Sequence, residues 1–337
     1  MRICTLRNFS TLVSAGVPVC LAIGIFDGFH RGHAEIFSRA AKFARQRGGI
    51  FGALTFDPHP DVLFRGTAAT KLIYPLESRL EKFAEFGADF AVSEPFTREF
   101  AGIRAEQFAA ILKEKIPELA AIHIGENFKF GAGRGGNAKV LHESAERLGI
   151  VVDAAPAVEW QGAKISSTRV RECLERGDIR AANAMLFKNY EAAGKIRGGH
   201  RLGRTIGFPT LNLPWNPELA PRFGVYAVRL WWKRVAPATV VATNAAGLWR
   251  DGGGEISFKG VANFGVRPTV ESGIVAPKLE TFLLVGDDDK ALPTTGDEIR
   301  VEWLEFLRAE QRFDSLEKLR QQLATDKVAA LKFFAAQ

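Results

Sequence analysis

From Val17 to about Ala155, short apolar runs alternate with stretches whose apolar positions recur every three to four residues. VCLAIGIF (Val19–Phe26) predicts a buried strand, and 33–47 a helix with Ile36, Phe37, Ala40 and Phe43 on one face. GGIFGALTF predicts the next strand. Helices over 76–86, 105–115 and 140–148 then precede the strands ADFAVSE, AAIHIG and GIVVDAA. Strands alternating with helices imply βαβ units and a parallel sheet, with ligands at the carboxyl ends of its strands. After about Phe187 the pattern changes. GVYAVRLWW, ATVVAT, EISFKGVANF, KLETFLLV and EIRVEWLEFL follow one another without helices, as in an antiparallel barrel or sandwich. A helix from Ser315 to about Phe334 closes the chain, with Ser315 as N-cap and Lys318 where a capping box would have an acid.

The 337 residues suit two domains, and the boundary is expected near 185, giving 1–185 and 186–337. Close to half the residues are apolar and a quarter are charged, the balance of a globular protein. No apolar run approaches the roughly 20 residues that span a bilayer. The polar interruptions in the first 20 residues argue against a signal peptide. Cys4, Cys20 and Cys173 are odd in number and far apart, so they read as buried thiols in a reducing cytoplasm. The net charge is +7. The basic residues are dispersed among acids with no aromatic RNA-reading motif, so charge alone argues little for a nucleic-acid partner, and nucleotide substrates explain it as well.

Two constellations carry chemistry. GIFDGFHRGH (Gly24–His33) falls where a strand ends and a helix begins. Gly24, Gly28 and Gly32 let the backbone turn tightly, and the helix start offers free N–H groups to an anion. His30 and His33 can donate to phosphate oxygens, which suits stabilising a pentavalent phosphorus and a departing pyrophosphate. The ordinary alternative is a glycine loop with surface histidines. ISSTRVR (Ile165–Arg171) converges hydroxyls, N–H groups and a guanidinium at a helix start; an N-cap with a solvated basic face would look the same. Phe56 and His59 suit a ligand wall, or equally a core ring and a turn residue. The second constellation runs from Gly194 to Leu213 and contains GFPTLN. Thr210 and Asn212, two apart on a strand, offer neutral oxygens on one face, fit for a Mg²⁺–phosphate site. On spacing alone a barrel corner built from Gly and Pro is as good a reading.

GIFDGFHRGH resembles the signature of the bacterial bifunctional riboflavin kinase/FAD synthetase family, whose HxGH core is shared by the wider nucleotidyltransferases. TFDPHP (Thr55–Pro60), GENFKFGAGRGGN (Gly125–Asn137) and ISSTRVR match the family in order, as do GRTIGFPTLN, VANFGVRPT (Val261–Thr269) and LRAEQRF (Leu307–Phe313). The resemblance spans nearly the whole chain. It implies a Rossmann-like nucleotidyltransferase domain followed by a β-barrel with a closing helix. It also implies ATP-dependent phosphorylation of riboflavin to FMN in the second half, then adenylylation of FMN to FAD in the first. His30 and His33 would contact ATP phosphates. Gly24, Asp27, Gly28, Gly32, Asn127, Ser166, Ser167, Thr168 and Arg171 would shape the nucleotide site, Arg169 occupying a variable position. Gly199, Gly203, Arg204, Gly207, Thr210, Asn212 and Arg308 would serve ATP and flavin in the second half, with Thr210 and Asn212 toward Mg²⁺ and Glu280 as catalytic base. A cytoplasmic monomer or weak homo-oligomer is expected, with riboflavin, FMN and ATP as its partners and neither nucleic acid nor membrane among them.

The departures lie mostly in the second half. Leu211 stands where alanine is usual, Phe282 where the family usually has histidine, and Phe187 where glycine is common. The family's aspartate–leucine–tyrosine–glycine phrase is replaced by GDDDKALPTTGDE, and the loop over 234–255 is elaborated. Two other readings therefore stay open: an adenylyltransferase with an impaired kinase barrel, and a non-catalytic flavin carrier. Product analysis separates the first, and ATP consumption the second.

Overall fold

The structure, a computed structural model, describes residues 1–11, 16–198, 207–233, 255–266, 277–285 and 292–337. These form two compact units, Met1–Arg169 with Met185–Phe187, and Val170–Ala184 with Lys188–Gln337.

The first unit is built on six parallel strands, β1 (Arg2–Cys4), β2 (Val19–Ile23), β3 (Ile50–Phe56), β4 (Phe90–Glu94), β5 (Leu119–Gly125) and β6 (Val151–Ala155), in the order β1-β4-β3-β2-β5-β6. Central β2 is buried on both faces, so its sequence is continuously apolar rather than alternating. Val19, Leu21 and Ile23 join one core with Phe108, Leu112 and Leu141. Cys20 and Ala22 face the other core, with Ile36, Phe37 and Phe83. The small residues sit on the side where helix α1 (Arg31–Gln46) packs, which lets the helix approach closely. α1 begins two residues before the expected start, because the His30 side chain itself caps it. Helices α2 (Pro60–Arg65), α3 (Leu76–Glu85), α4 (Arg98–Ala101), α5 (Ala105–Lys115) and α6 (Ala138–Glu146) complete the crossovers. β1, α2 and α4 are too short to show a period. A two-strand hairpin, β7 (Glu159–Trp160) and β8 (Ala163–Lys164), precedes α7 (Ser167–Arg176) and α8 (Ile179–Met185). Under α1, Arg39 holds Asp153 with two hydrogen bonds of 2.6 and 2.7 Å, and Asp153 contacts buried His123 at 3.1 Å. Arg39's hydrogen bond, foremost, holds the Asp153 carboxyl below its usual range, while burial lowers His123.

The second unit is an antiparallel sheet of β9 (Glu191–Lys195), β10 (Thr210–Pro214), β11 (Gly224–Lys233), β12 (Glu255–Gly265), β13 (Lys278–Leu283) and β14 (Glu298–Ala309), in the order β10-β13-β12-β11-β14-β9. Its two ends meet at a bridge between Arg197 and Asn212, which curls it into a barrel. Trp303, Tyr226, Phe264 and Trp215 pack on the inner face with ring centroids 4.5–5.5 Å apart. α9 (Leu316–Ala335) lies on the outer face through Ala330 and Phe334 against Val225, Ala227 and Val261. Ser315 caps it by accepting from the Lys318 N–H at 3.2 Å. α8, missed by periodicity because it is short, docks through Asn183, whose amide bonds to Trp303 O at 2.7 Å and to Tyr190 N at 2.8 Å. The expected strand ATVVAT lies outside the described residues.

Candidate functional site

In the first unit the strand order reverses at β2, which has β3 on one side and β5 on the other. Ligands bind at the carboxyl edge of such a switch point. The turn Gly24–His30 leaves β2 there. Gly28 holds φ at +78°, and a Cβ on it would meet Ile73 Cδ1 at 2.8 Å. His30 Nδ1 accepts from the His33 N–H at 3.3 Å, and the two imidazoles stack 3.6 Å apart. Gly32 leaves room for that stack, since a Cβ there would stand 3.1 Å from the His30 ring. His33 is half-buried as a residue, but its Nδ1 is enclosed and finds no hydrogen-bond partner among the described residues. Burial, and then His30 beside it, hold its imidazole well below the usual histidine range. The His33 ring is thus favoured as the neutral imidazole, at a helix start whose free N–H groups suit an anion.

The neighbouring side chains divide into those that face this edge and those that hold it. Both Asp27 carboxylate oxygens accept from the backbone N–H of Ile73, and one also from Tyr74, at 3.0–3.1 Å, so Asp27 anchors the loop beneath the turn. Ser167 Oγ donates to Asp27 O at 2.9 Å, joining the start of α7 to the same turn. Ser166 caps α7 by accepting from the Arg169 N–H at 3.3 Å. Thr168 is exposed and Arg171 half-buried. Arg169 clamps the β7–β8 hairpin through the carbonyls of Ala163 and Lys164. A cavity of about 700 Å³ opens at the ends of β2, β3 and β5, lined by Gly24, Phe56, His59 and Asn127 together with Phe96, Phe100, Phe128 and Phe130. His59 also caps α2 by accepting from the Asp61 N–H.

In the second unit the strand register assembles the other site. Asn212 of β10 stands opposite Glu280 of β13, and Thr210 opposite Phe282. Directly opposed residues share a face, so Thr210, Asn212 and Glu280 look the same way. Phe208 packs on Phe282 with centroids 5.1 Å apart. A hydroxyl, an amide oxygen and a nearby carboxylate are hard donors that fit Mg²⁺. Among the described residues no cluster of three His, Cys, Asp or Glu would hold a metal by itself, so ATP phosphates would have to complete the shell.

Both halves match family models, residues 15–169 that of FAD synthetase and residues 186–334 that of riboflavin kinase. The bifunctional riboflavin kinase/FMN adenylyltransferase of Escherichia coli K12 is 34% identical over 330 residues, 98% of this chain and 97% of the relative. The chain belongs to the bifunctional riboflavin kinase/FMN adenylyltransferase family. The Bacillus subtilis member is 30% identical over 320 residues, 94% of this chain and 92% of that one. A crystal structure described as a macrolide-efflux protein from Streptococcus pneumoniae superposes with a TM-score of 0.79 at 25% identity, covering 98% of this chain and 99% of that one. No helix among the described residues is long and apolar enough to cross a membrane.

Within this bifunctional kinase/adenylyltransferase framework, several expected residues take structural work. Arg308 makes two bonds of 2.8 and 2.7 Å to buried Asp326 of α9, so its guanidinium ties the closing helix to β14. Gly207 holds φ at +84°, before the GFPT strand. Gly199, Gly203 and Arg204 lie outside the described residues. Arg79 was not visible as special in the sequence. It is fully buried and donates to Ile25 O and Thr55 Oγ1 at 2.9 Å, pinning the ends of β2 and β3 together. Its position on an amphipathic helix resembled any surface arginine.

Proposed function

We propose that the chain converts riboflavin to FMN in its second half and FMN to FAD in its first, with the residues above in the following roles. The observation that carries the division of labour is that each unit has its own oriented cluster: stacked His30 and His33 at a helix start, and Thr210, Asn212 and Glu280 on one strand face.

In the first unit, the N–H groups at the start of α1 and the two imidazoles receive the ATP phosphates. His33, neutral beforehand, gains its proton as negative charge accumulates in the transition state, when the FMN phosphate attacks the α-phosphorus and pyrophosphate leaves. The hydroxyls of Ser166, Ser167 and Thr168 complete the anion site at the start of α7. The aromatic cavity beside Asn127 takes the flavin ring, whose flat apolar body matches the phenylalanines lining it.

In the second unit, Glu280 accepts the proton of the ribityl 5′-hydroxyl as that oxygen attacks the γ-phosphorus of ATP. Mg²⁺ held by Thr210 and Asn212 would neutralise charge on the ATP phosphates. Thr210 and Asn212 fix the nucleotide on the strand face that Glu280 shares. The free thiols Cys4, Cys20 and Cys173 fit a reducing cytoplasm.

Purified protein with riboflavin, Mg²⁺ and ATP, its flavins separated over time, tests this reading. Wild type is expected to make FMN and then FAD, His33→Ala to stop at FMN, and Glu280→Ala to make no FMN. Riboflavin left untouched by wild type while added FMN is adenylylated would instead mean an adenylyltransferase alone, with GDDDKALPTTGDE as the reason.

A further inference from the structure

We propose that Asn263 is a further positioning residue of the kinase-half site, its side-chain carbonyl accepting from the riboflavin 4′-hydroxyl so that the 5′-hydroxyl is the one presented to Glu280. The inference deepens the kinase reading and rests on it.

The first observation is register. Glu280 has Asn212 opposite it on β10 and Asn263 opposite it on β12. Asn212, Glu280 and Asn263 thus form one row across three adjacent strands, on one face, with Cβ atoms about 5 Å apart at each step. Asn263 flanks Glu280 on the side away from Asn212. The second observation fixes its amide. Asn263 Nδ2 donates to Glu310 Oε1 at 3.4 Å. A carboxylate oxygen can only accept, so the nitrogen side of the amide belongs to Glu310 and the carbonyl side is left to accept. The third is that Gly265, two residues on and on the same face, makes room for this arrangement. A Cβ on Gly265 would coincide with the Glu310 carboxylate.

The ribityl chain is a run of neighbouring hydroxyls that differ little in acidity, yet only the terminal one is to be phosphorylated. Selection must come from geometry. A carboxylate and an amide carbonyl about 5 Å apart can each take one of two adjacent hydroxyls. With the 4′-hydroxyl on Asn263, the 5′-hydroxyl falls to Glu280 beside the Asn212 end, where the nucleotide is held. An amide suits the place better than an acid, because a third carboxylate beside Glu280 and Glu310 would favour the protonated base. Among the described residues, the other charged groups facing this row are Lys278 on β13, Lys259 on β12, Arg308 with its partner Asp326, and Lys327 of α9, whose Nζ lies 6.0 Å from the Phe282 ring centroid.

The test is steady-state FMN formation by the full chain with Mg²⁺ and ATP, using riboflavin and 4′-deoxyriboflavin. Circular dichroism and thermal melting verify that each variant folds. Asn263→Ala should raise KM for riboflavin about tenfold, the loss of one hydrogen bond, with KM for ATP held within about twofold. Wild type should lose a similar factor on 4′-deoxyriboflavin, and Asn263→Ala should lose nothing further on that substrate. Gly265→Ala, which displaces Glu310, should weaken riboflavin binding in the same sense. Asn263→Asp should move the acid limb of the kcat/KM profile to higher pH. An equal penalty for 4′-deoxyriboflavin in wild type and Asn263→Ala would overturn the proposal, as would a matching rise in KM for ATP. Glu280→Gln separates the two levels. If it retains wild-type rates, the kinase reading itself fails; if it is inactive while Asn263→Ala behaves as wild type, only this inference fails.

Discussion

Arg308 and Asp326 show how one residue's role depends on what surrounds it. The Asp326 side chain is 4% exposed, and its charge is offset by the Arg308 guanidinium, with Gln322 Nε2 donating a further hydrogen bond of 2.9 Å. Arg308→Leu should therefore cost about 3–5 kcal/mol in urea unfolding, and adding Asp326→Leu should recover part of that loss. His123 works through protonation. Its folded-state pKa is lowered, so below the unfolded value of about 6.5 the unfolded chain takes a proton that the native state refuses, and stability falls as the pH drops. Asp153 contributes nothing to that slope above its own range, because its folded pKa is also lowered and its contribution fades only at lower pH. His123→Gln should flatten the dependence of stability between pH 6.5 and 5 by up to one proton, about 1.4 kcal/mol per pH unit, measured by denaturant melts at each pH. His30 and His33 stood out in the sequence because two imidazoles among glycines at a strand-to-helix turn suit an anion. The roles of Asp27, Arg79 and Arg308 were not. A carboxylate facing backbone N–H groups and one facing a phosphate-bound cation are spelled identically.

The elements followed largely from local pattern. The helices over 105–115 and 76–85 appear where periodicity places them, since each covers a sheet already buried on its other face. The turn before α1 is the element on which the proposed adenylylation site depends. It needs a left-handed residue at Gly28 with no side chain toward Ile73. Gly28→Ala should lose about 2 kcal/mol of stability from the left-handed conformation and crowding together, and adenylylation of FMN should fall more than about tenfold as His30 and His33 shift. FAD formation from FMN checks this. Periodicity did not reach β1, α2, α4, β7, β8 and α8, which are too short for a repeat to declare itself, nor five-residue β9, whose EAAGK has no apolar alternation and is set only by its pairing with β14.

At the scale of the molecule, each unit has its own core and its own cluster of chemical groups. FMN released by one molecule is then expected to be finished by another. An equimolar mixture of His33→Ala and Glu280→Ala proteins should convert riboflavin to FAD, although neither does so alone; chromatography of the mixture decides. The alternation of apolar and polar positions determined a parallel α/β half and an antiparallel β half, because each pattern can bury its apolar face in few ways. GIFDGFHRGH, TFDPHP, GENFKFGAGRGGN and ISSTRVR, read together and in order, pointed to the family, and GFPTLN to its kinase half. Strand register was decided only by tertiary structure: that Asn212, Glu280 and Asn263 form one row, and that Arg197 meets Asn212 to close the sheet, depends on pairings between segments far apart in the chain. A one-residue slip of any strand would turn each of these side chains to the opposite face, and no local pattern in the chain specifies which pairing wins.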